Sequence, residues 1–372
     1  MENVYLKAEE KVIFSLRALY SGYGYSRYKM NKFEEYDLYV RNKDFLLSDA
    51  VITFTDTNGK LMALKPDVTL SIIKDSEDTP AAVRKLYYNE NVYRISKTTG
   101  SFKEIMQVGL ECIGDADDYC IYEVLMLAAK SLLTVSDSSL LAISHMGILS
   151  DIIDSLSLTG AQSAAVLRCV EEKNVHDLEA MCRACGVESA SVQLLKDLIG
   201  IYGTPATVLP QLERILKNTC AWDSYKELEQ TLALAEGSDI EQYLRIDFSI
   251  INDLKYYNGI IFKGFIEGIA TAVLSGGQYD KLMRKMKRKT GAVGFALYLD
   301  QLERFYPREE SYDTDYVLLY GENESAKAVC EAVRAYSKKG AVLAVRKLPG
   351  SLKYKTLLKL AGGKVVEADG IS

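Results

Sequence analysis

Apolar residues recur along this chain at two spacings, and each spacing predicts one type of element. Over residues 7–21 they return every three or four positions before two glycines, which predicts an amphipathic helix with a glycine stop. The same spacing over Asp117–Leu133, with acidic residues at its start, predicts a second long helix. Mixed aromatic and apolar runs predict strands in the first half of the chain, at 26–33, 51–55, 61–64, 84–93, 102–113 and 140–144.

The longest strand signal is a hairpin over Arg84–Gly114. A polar turn at 96–101 joins its two runs, and side chains alternate along a strand, so Gln107, Gly109 and Glu111 share one face. A solvated sheet face is one interpretation of this set. The other is a ligand floor, in which Gly109 leaves room for a small molecule against the backbone and the two polar side chains hold it.

The composition changes between Gly147 and about Gly237, where strand formers become rare and leucine, alanine, glutamate and lysine dominate. This change predicts a helical insertion. Strand patterns resume over 244–262, which holds two strands, and over 271–274. Beyond a linker, alternating segments predict a β-α-β-α-β unit with a parallel sheet, at 316–320, 326–336, 342–345, 352–360 and 365–367.

Composition places the chain among ordinary globular proteins. Its 372 residues are 48% hydrophobic and 26% charged, with a formal net charge of −6. An acidic total argues against a broad nucleic-acid surface. No apolar run approaches the roughly 18 residues of a membrane helix, and the N-terminus lacks a signal-peptide layout. We therefore expect a cytoplasmic protein.

Cysteine and histidine suggest little chemistry. Cys182 and Cys185 form a lone CxxC inside a predicted helix, and a redox or metal role would need a second pair or a histidine cluster. The chain has only two histidines, His145 and His176, so a histidine metal site or a Ser-His-Asp triad is not expected. We interpret His145 as a turn or packing residue, and we predict no metal and no cofactor.

Three further stretches each allow more than one interpretation. Asp67 is a good helix N-cap, and with Thr69 it is also suited to hold an ammonium group. Arg284–Lys289 packs five positive charges into six residues, as a solvated loop or as a phosphate or RNA contact. Ser275–Asp280 contains two glycines, which indicate close backbone approach or a tight turn, and it lacks the P-loop spacing.

Together these motifs resemble those of the histidyl-tRNA synthetases. Their order and spacing agree over roughly residues 5–305, and the combination is specific although each motif alone is weak. The matching motifs are Leu64–Thr69, Tyr93-Arg94 followed by Gln107–Glu111, Leu254–Asn258, Ser275–Asp280 and Gly294–Leu297. The resemblance implies an α+β fold of the class II aminoacyl-tRNA synthetase type, an antiparallel sheet flanked by helices, in which the hairpin is motif 2.

The resemblance also implies a histidine pocket. In the synthetases an acid and a threonine hold the α-amino group, and a glutamine and a glutamate come from the return strand of motif 2. Tyrosines from a Tyr-Tyr pair complete the site, although here they could equally be ordinary core. Neighbours on a strand point to opposite faces, so we expect only one tyrosine of the pair to line the pocket. The histidine-binding residues implied here are Asp67, Thr69, Arg94, Gln107, Glu111, Tyr256 and Tyr257.

The positions that serve ATP in the synthetases depart from the family pattern. Arg94 matches the phosphate-gripping arginine of motif 2, but other expected residues are replaced. Charge-assisted contacts to phosphate are worth about 1.5–3 kcal/mol each, so losing two or three would weaken ATP binding by several orders of magnitude. An amino-acid pocket without this machinery is predicted to be a sensor. The departures are Asn31, Ser96, Asn252, Asp253, Gln278 and Gln301.

The chain therefore looks like the synthetase-like regulatory subunits of ATP phosphoribosyltransferase, the first enzyme of histidine biosynthesis. That resemblance implies a non-catalytic chain that self-associates as a dimer and joins a short catalytic subunit in a hetero-octamer. It would be required for activity and would take part in feedback inhibition by histidine. One alternative is a working histidyl-tRNA synthetase. Another is a synthetase paralogue with a different partner, for which the basic run is the only support.

The implied domains follow from the same resemblance. A class II synthetase-like catalytic-type domain covers 1–146 and 238–308, and the helical insertion occupies 147–237. A truncated α/β domain at 313–372 resembles part of an anticodon-binding domain. The sequence does not specify which surface meets the catalytic subunit, and the helical insertion and the outer sheet face are both candidates.

Overall fold

The computed structural model describes residues 7–42, 51–77, 82–96, 99–251, 256–302 and 312–368. The chain divides into two compact units, Met1–Phe305 and Tyr306–Ser372.

The helices of the first unit are α1 (Ala8–Gly22), α2 (Tyr36–Arg41), α3 (Thr69–Asp75), α4 (Asp118–Val135), α5 (Met146–Ser155), α6 (Gly160–Glu171), α7 (Val175–Ala184), α8 (Ser189–Gly200), α9 (Pro205–Leu216), α10 (Trp222–Ala233) and α11 (Asp280–Lys285). Its strands are β1 (Ser26–Arg27), β2 (Phe33–Glu35), β3 (Thr53–Thr55), β4 (Leu61–Leu64), β5 (Val83–Ile95), β6 (Phe102–Gly114), β7 (Ser139–His145), β8 (Tyr202–Gly203), β9 (Leu244–Asp247), β10 (Ile260–Ile266), β11 (Leu274–Gln278) and β12 (Gly291–Tyr298).

A nine-stranded sheet with the order β1-β5-β6-β12-β11-β10-β7-β9-β8 is the framework of the first unit. Neighbouring strands are antiparallel except at β1/β5 and β7/β9. The predicted α+β fold, an antiparallel sheet flanked by helices, is confirmed. The predicted hairpin is β5 and β6, and β12 pairs with the other edge of β6. Residues 107–114 of β6 therefore have a partner strand on both sides, which makes their side chains suitable for an enclosed site.

The two faces of the hairpin are covered by different elements. Helix α4 contacts β6, β12, β11, β10 and β7 on one face, and its N-cap Asp117 accepts a hydrogen bond from the Cys120 amide at 2.9 Å. On the other face, α3 contributes Leu70 and Ile73 to a core that also holds Leu86 of β5. Both long helices predicted from periodicity are confirmed as α1 and α4.

A second sheet, with the order β2-β4-β3, lies beside α3 in the sequence. Its Asn-Gly hairpin is confirmed: Asp56 accepts hydrogen bonds from the Asn58 and Lys60 amides, and Gly59 has φ +81°. The strand predicted at 26–33 is wrong, because β1 pairs in the large sheet and β2 in the small one. The chain leaves the first sheet to bury Tyr28 and Met30 in the core between them.

The two glycines of Ser275–Asp280 lie inside β11 and serve close backbone approach. A Cβ at Gly276 would come within 2.5 Å of the Gly294 carbonyl, and Gly277 has φ +155°. The strand predicted at 271–274 is therefore displaced: β11 begins at Leu274 and continues through both glycines. Residues 146–233 are mainly helical, from α5 to α10, as the composition indicated.

The second unit holds β13 (Thr314–Tyr320), α12 (Ala326–Tyr336), β14 (Val342–Val345), β15 (Tyr354–Ala361) and β16 (Lys364–Ala368), in the sheet order β14-β13-β15-β16. The helix predicted at 352–360 is wrong, because that segment is β15. Its leucines and lysines favour helix, but Leu358 and Leu360 alternate into the core under α12. Of the predicted parallel strands, β14 pairs parallel with β13, whereas β16 is antiparallel to its neighbour β15. The parallel pairing of β15 with β13 was not predicted.

Within the described ranges, no helix is both long and apolar enough to cross a membrane.

Candidate functional site

The centre of the site is the carboxylate of Glu111 on β6, which is only 2% exposed. One carboxylate oxygen, Oε1, accepts a hydrogen bond from the Thr69 hydroxyl at 2.7 Å, and Oε2 accepts one from the Tyr279 hydroxyl. Burial raises the pKa of Glu111 to about 8, although both hydroxyl contacts work in the opposite direction. The site therefore holds an acid that changes charge near neutral pH, and the interpretation of this face as solvated is wrong.

Two glycines make room for this arrangement. Gly294 of β12 lies directly opposite Glu111, and a Cβ there would come within 1.7 Å of Oε2. A Cβ at Gly109 would meet the Phe295 carbonyl at 2.1 Å and the Tyr88 hydroxyl at 2.6 Å. The space above Gly109 is thus filled by the protein itself, and the expectation that it admits a ligand is wrong.

Asp67 lies one residue before Val68, the N-cap of α3, yet its carboxylate makes the capping contact that the sequence predicted, and it lies close enough to Glu111 to act on its charge. Its Oδ1 accepts a hydrogen bond from the Leu70 amide at 2.9 Å at the start of α3. Burial raises the pKa of Asp67, and the positive charge of Arg94 works against that increase. Because Thr69 begins α3 and reaches Glu111, the same turn places both acids beside one another.

The tyrosine pair lies in a different conformation from the one predicted. Tyr256 and Tyr257 precede β10 rather than lying in a strand, so their side chains need not alternate. Their ring centroids are 4.5 Å apart, and the Tyr256 ring lies 5.7 Å from that of Tyr279. Burial raises the pKa of all three hydroxyls well above the usual range. Both members of the pair therefore belong to one neutral aromatic cluster beside Glu111.

Arg94 and Gln107 complete the implied set. The Arg94 Nε donates to the Pro66 carbonyl at 3.0 Å, which ties the end of β5 to the segment that precedes α3. Its guanidinium also interacts with the hydroxyl of Tyr298. Gln107 is 3% exposed and pairs with Tyr298 of β12. It is four residues from Glu111 on the same strand, so alternation places the two side chains on one face. The structure brings six implied residues into one neighbourhood, with Gln107 further along the same strand.

Sequence analysis missed three tyrosines of this neighbourhood. Tyr279 lies inside a motif that drew attention only for its glycines, although it contacts Glu111 directly. Tyr88 pairs with Gly109 across the hairpin, and Tyr298 pairs with Gln107. Strand alternation could have placed Tyr88 on the right face once the hairpin register was known, but the register depends on the whole sheet.

The uncharged residues at two synthetase ATP positions are engaged in local structure. The Gln278 Oε1 accepts a hydrogen bond from the Ile260 amide at 2.8 Å, at the beginning of β10. The Gln301 Oε1 accepts one from the Thr271 hydroxyl at 2.9 Å. These carboxamides act as acceptors for protein groups, the reverse of what a phosphate requires.

The other positions that depart from the synthetase pattern for ATP make fewer contacts. Ser96 lies at the base of the hairpin turn, where its Oγ accepts from the Thr99 amide at 3.3 Å. Asn31 is exposed in a segment between β1 and β2. Asn252 and Asp253 lie outside the described residues.

The other candidate residues have structural partners. Arg288 of the basic run donates from Nη2 to the Ile73 and Lys74 carbonyls at 2.9 and 3.1 Å, at the C-terminus of α3. His145 is buried, caps α5 through Nδ1, and lies 3.4 Å from a Glu227 carboxylate oxygen. The packing interpretation of His145 is confirmed.

Comparison with known proteins identifies the family of this chain. A family model described as histidyl-tRNA synthetase matches residues 4–302. The ATP phosphoribosyltransferase regulatory subunit of Oceanobacillus iheyensis is 27% identical over 294 residues, which cover 78% of this chain and 72% of that protein.

Two solved structures share the fold. One is an ATP phosphoribosyltransferase regulatory subunit/histidyl-tRNA synthetase from Bacillus halodurans, with a TM-score of 0.80, 20% identity and coverage of 96% of this chain and 99% of that one. The other is a chain of the ATP phosphoribosyl transferase (HisG:HisZ) complex from Thermotoga maritima, with a TM-score of 0.62, 18% identity and coverage of 80% and 98%. The chain therefore belongs to the histidyl-tRNA synthetase family, and the relatives that it matches include proteins named ATP phosphoribosyltransferase regulatory subunit.

Proposed function

We propose that this chain is the non-catalytic regulatory subunit of an ATP phosphoribosyltransferase and that it binds histidine beside Glu111. The observation that carries the proposal is the buried Glu111 carboxylate, held by Thr69 and Tyr279 next to a second acid. A carboxylate can accept an imidazole N–H, and a second can pair with an ammonium group. Two tyrosine rings, tilted at 41° to one another, supply apolar walls for an aromatic ligand.

The proposed histidine-binding residues divide into two groups by chemistry. Asp67 and Thr69 face the ammonium group, while Glu111 receives the imidazole. Gln107 and Arg94 extend the site along the sheet and toward the ligand carboxylate. Tyr256 and Tyr257 form the aromatic wall.

We base the proposed lack of catalysis on the positions that bind ATP in the synthetases. Adenylation develops charge on phosphate, and it needs positive or N–H donor groups aimed at that charge. Gln278 and Gln301 are neutral, and their carboxamide oxygens accept protein hydrogen bonds. Arg94 alone is a weak substitute, because its Nε is engaged by the Pro66 carbonyl.

The proposed partner is a short catalytic subunit, bound in a hetero-octamer that contains dimers of this chain. Support comes from the regulatory name of the relatives and from the shared fold with a chain of the Thermotoga maritima complex. Within the complex, histidine would inhibit the transferase by binding one conformation of this chain more tightly than another.

Calorimetry tests whether histidine binds, both to the isolated chain and to the chain in complex with the catalytic subunit. We expect saturable binding that Glu111→Gln abolishes and that Glu104→Gln leaves unchanged, because Glu104 is an exposed carboxylate on the same strand. A histidine-dependent ATP–pyrophosphate exchange assay tests the alternative. Robust exchange would show a working synthetase, and no histidine binding in either state would refute the regulatory proposal.

A further inference from the structure

The acidic character of the chain is concentrated in the helical insertion. Between Gly147 and Gly237 the sequence has 13 acidic and 7 basic side chains, a formal charge of −6 that equals the net charge of all 372 residues. The remainder of the chain is balanced. A field of one sign on one substructure attracts partners of the opposite sign and repels nucleic acid.

A groove lies in this acidic region, between the start of α9 and the end of α10. Its volume is about 360 Å³, and its floor is apolar, formed by residues that include Ala206, Leu209 and Leu232. A second hollow of about 460 Å³ adjoins it and shares Glu241. We call the two together the α9–α10 groove.

The rim of the α9–α10 groove supplies acceptors and negative charge. Glu229, Glu236 and Glu241 line the first hollow, and Asp239 lines the second. Among the described residues that line both hollows there is no lysine or arginine. Glu229 is paired with Lys226 at 2.6 Å and Asp239 with Lys130 at 3.0 Å, so the exposed Glu236 and the half-buried Glu241 carry most of the negative field.

The backbone adds to this polarity. Pro210 lies inside α9 and has no N–H, so the carbonyl of Ala206 in the same groove lacks its usual intrahelical donor. The last turn of α10 contains no basic residue, which leaves the negative end of that helix uncompensated by its own side chains. At the N-terminus of α9, the Thr207 and Val208 amides both donate to the Thr204 carbonyl, so these amides do not offer an anion site.

We propose that the α9–α10 groove docks a basic segment of a partner protein, which inserts an apolar side chain between the helices and places lysine or arginine against the rim. The apolar floor supplies affinity, and the acidic rim supplies orientation and a fast encounter. The identification of that partner as the catalytic transferase subunit rests on the proposed function, whereas the docking chemistry does not.

A synthetic amphipathic peptide of leucine and lysine tests the docking chemistry with the full chain. We expect saturable one-to-one binding that weakens with salt, measured by fluorescence anisotropy. Glu236→Lys and Leu209→Gln should each weaken it about tenfold, while Glu172→Lys, an equal charge change on the same insertion outside the groove, should leave it unchanged. Thermal unfolding shows whether each variant folds. Equal affinity for all four proteins, or no saturable binding, would overturn the proposal.

Reconstitution with the short catalytic subunit tests the partner. Glu236→Lys should weaken the complex about tenfold and leave histidine binding by the isolated chain unchanged. A variant that assembles as well as the wild type would overturn the assignment of the catalytic subunit to this groove. If the wild type itself fails to bind the catalytic subunit, the proposed function falls, and the peptide experiment still decides the groove.

Discussion

Two positions on nearby strands, Glu111 of β6 and Gln278 of β11, show how differently polar side chains are used in this sheet. Glu111 is buried and receives hydroxyl hydrogen bonds from Thr69 of α3 and from Tyr279, the residue that follows β11. Gln278 receives an amide hydrogen bond from the first residue of β10 and holds that strand in place. Glu111 pairs with Gly294 and Gln278 with Val293, so alternation directs them to opposite faces.

Glu111 is therefore a buried polar group with no backbone partner to satisfy, whereas Gln278 satisfies the backbone of a neighbouring strand. A buried acid with a raised pKa costs stability, and it is worth keeping where a ligand repays that cost. A glutamine that satisfies a backbone amide stabilises the sheet and needs no ligand. The contrast predicts that changes at Glu111 affect binding and that changes at Gln278 affect folding.

Removing the acid at Glu111 should have the largest effect. Glu111→Gln should lower histidine affinity by more than about 100-fold, because a neutral amide replaces the charged acceptor. At pH 8 the same variant should be more stable than the wild type, with a free energy of unfolding higher by on the order of 1–3 kcal/mol, because it has no buried group to ionise. Calorimetry and denaturant unfolding check the two effects, and a loss of both affinity and stability would contradict the separation.

A methyl group at Gly294 should affect the pocket through its geometry. Gly294→Ala places a Cβ 1.7 Å from the Glu111 Oε2, so the strand or the acid must move. We expect a loss of about 2–4 kcal/mol in the free energy of unfolding. Gly22→Ala is the matched control, because nothing lies within 4 Å of its Cβ and helix α1 gains from alanine. Equal stability of the two variants would show that the pocket is loosely packed.

The pKa of Glu111 makes two pH-dependent predictions. The folded pKa of about 8 is above the ordinary value of 4.5, so the folded state binds more protons between those values. The contribution of Glu111 to stability should therefore decrease as pH rises from about 4.5 to 8. Histidine affinity should rise by up to about tenfold per pH unit toward pH 8, if binding requires the carboxylate. Glu111→Gln should flatten the stability profile, and its histidine binding should stay weak at every pH in this range.

Restoring an arginine at the synthetase position should have the smallest effect. Gln278→Arg should cost about 1 kcal/mol, because the Ile260 amide loses its acceptor, and it should produce no ATP–pyrophosphate exchange. Gln301→Arg is a second variant for the same comparison. It loses a hydrogen bond from the Thr271 hydroxyl near the surface rather than one from a backbone amide. Exchange activity in the Gln278→Arg variant would show that this one residue, rather than the whole phosphate side, had been lost.

Several features of the fold followed from local patterns. The spacing of apolar residues predicted α1 and α4, and turn chemistry predicted the hairpin at Gly59, because these signals depend on near neighbours. The motif order pointed to Thr69 and Glu111, which the structure joins by a hydrogen bond. The strand β15 was missed because its leucine and lysine content favours helix, and only pairing with β13 and β16 overrides that preference.

Local sequence patterns were sufficient to predict which short segments form helices and turns. They could not determine that Gly109 is filled by Tyr88, that Tyr256 and Tyr257 share one cluster, or that Tyr279 reaches Glu111. These contacts join residues far apart in the chain, and they exist only when the strand register is set by the complete sheet. Burial then raises the pKa of Glu111, because the desolvation of a carboxyl group depends on everything packed around it.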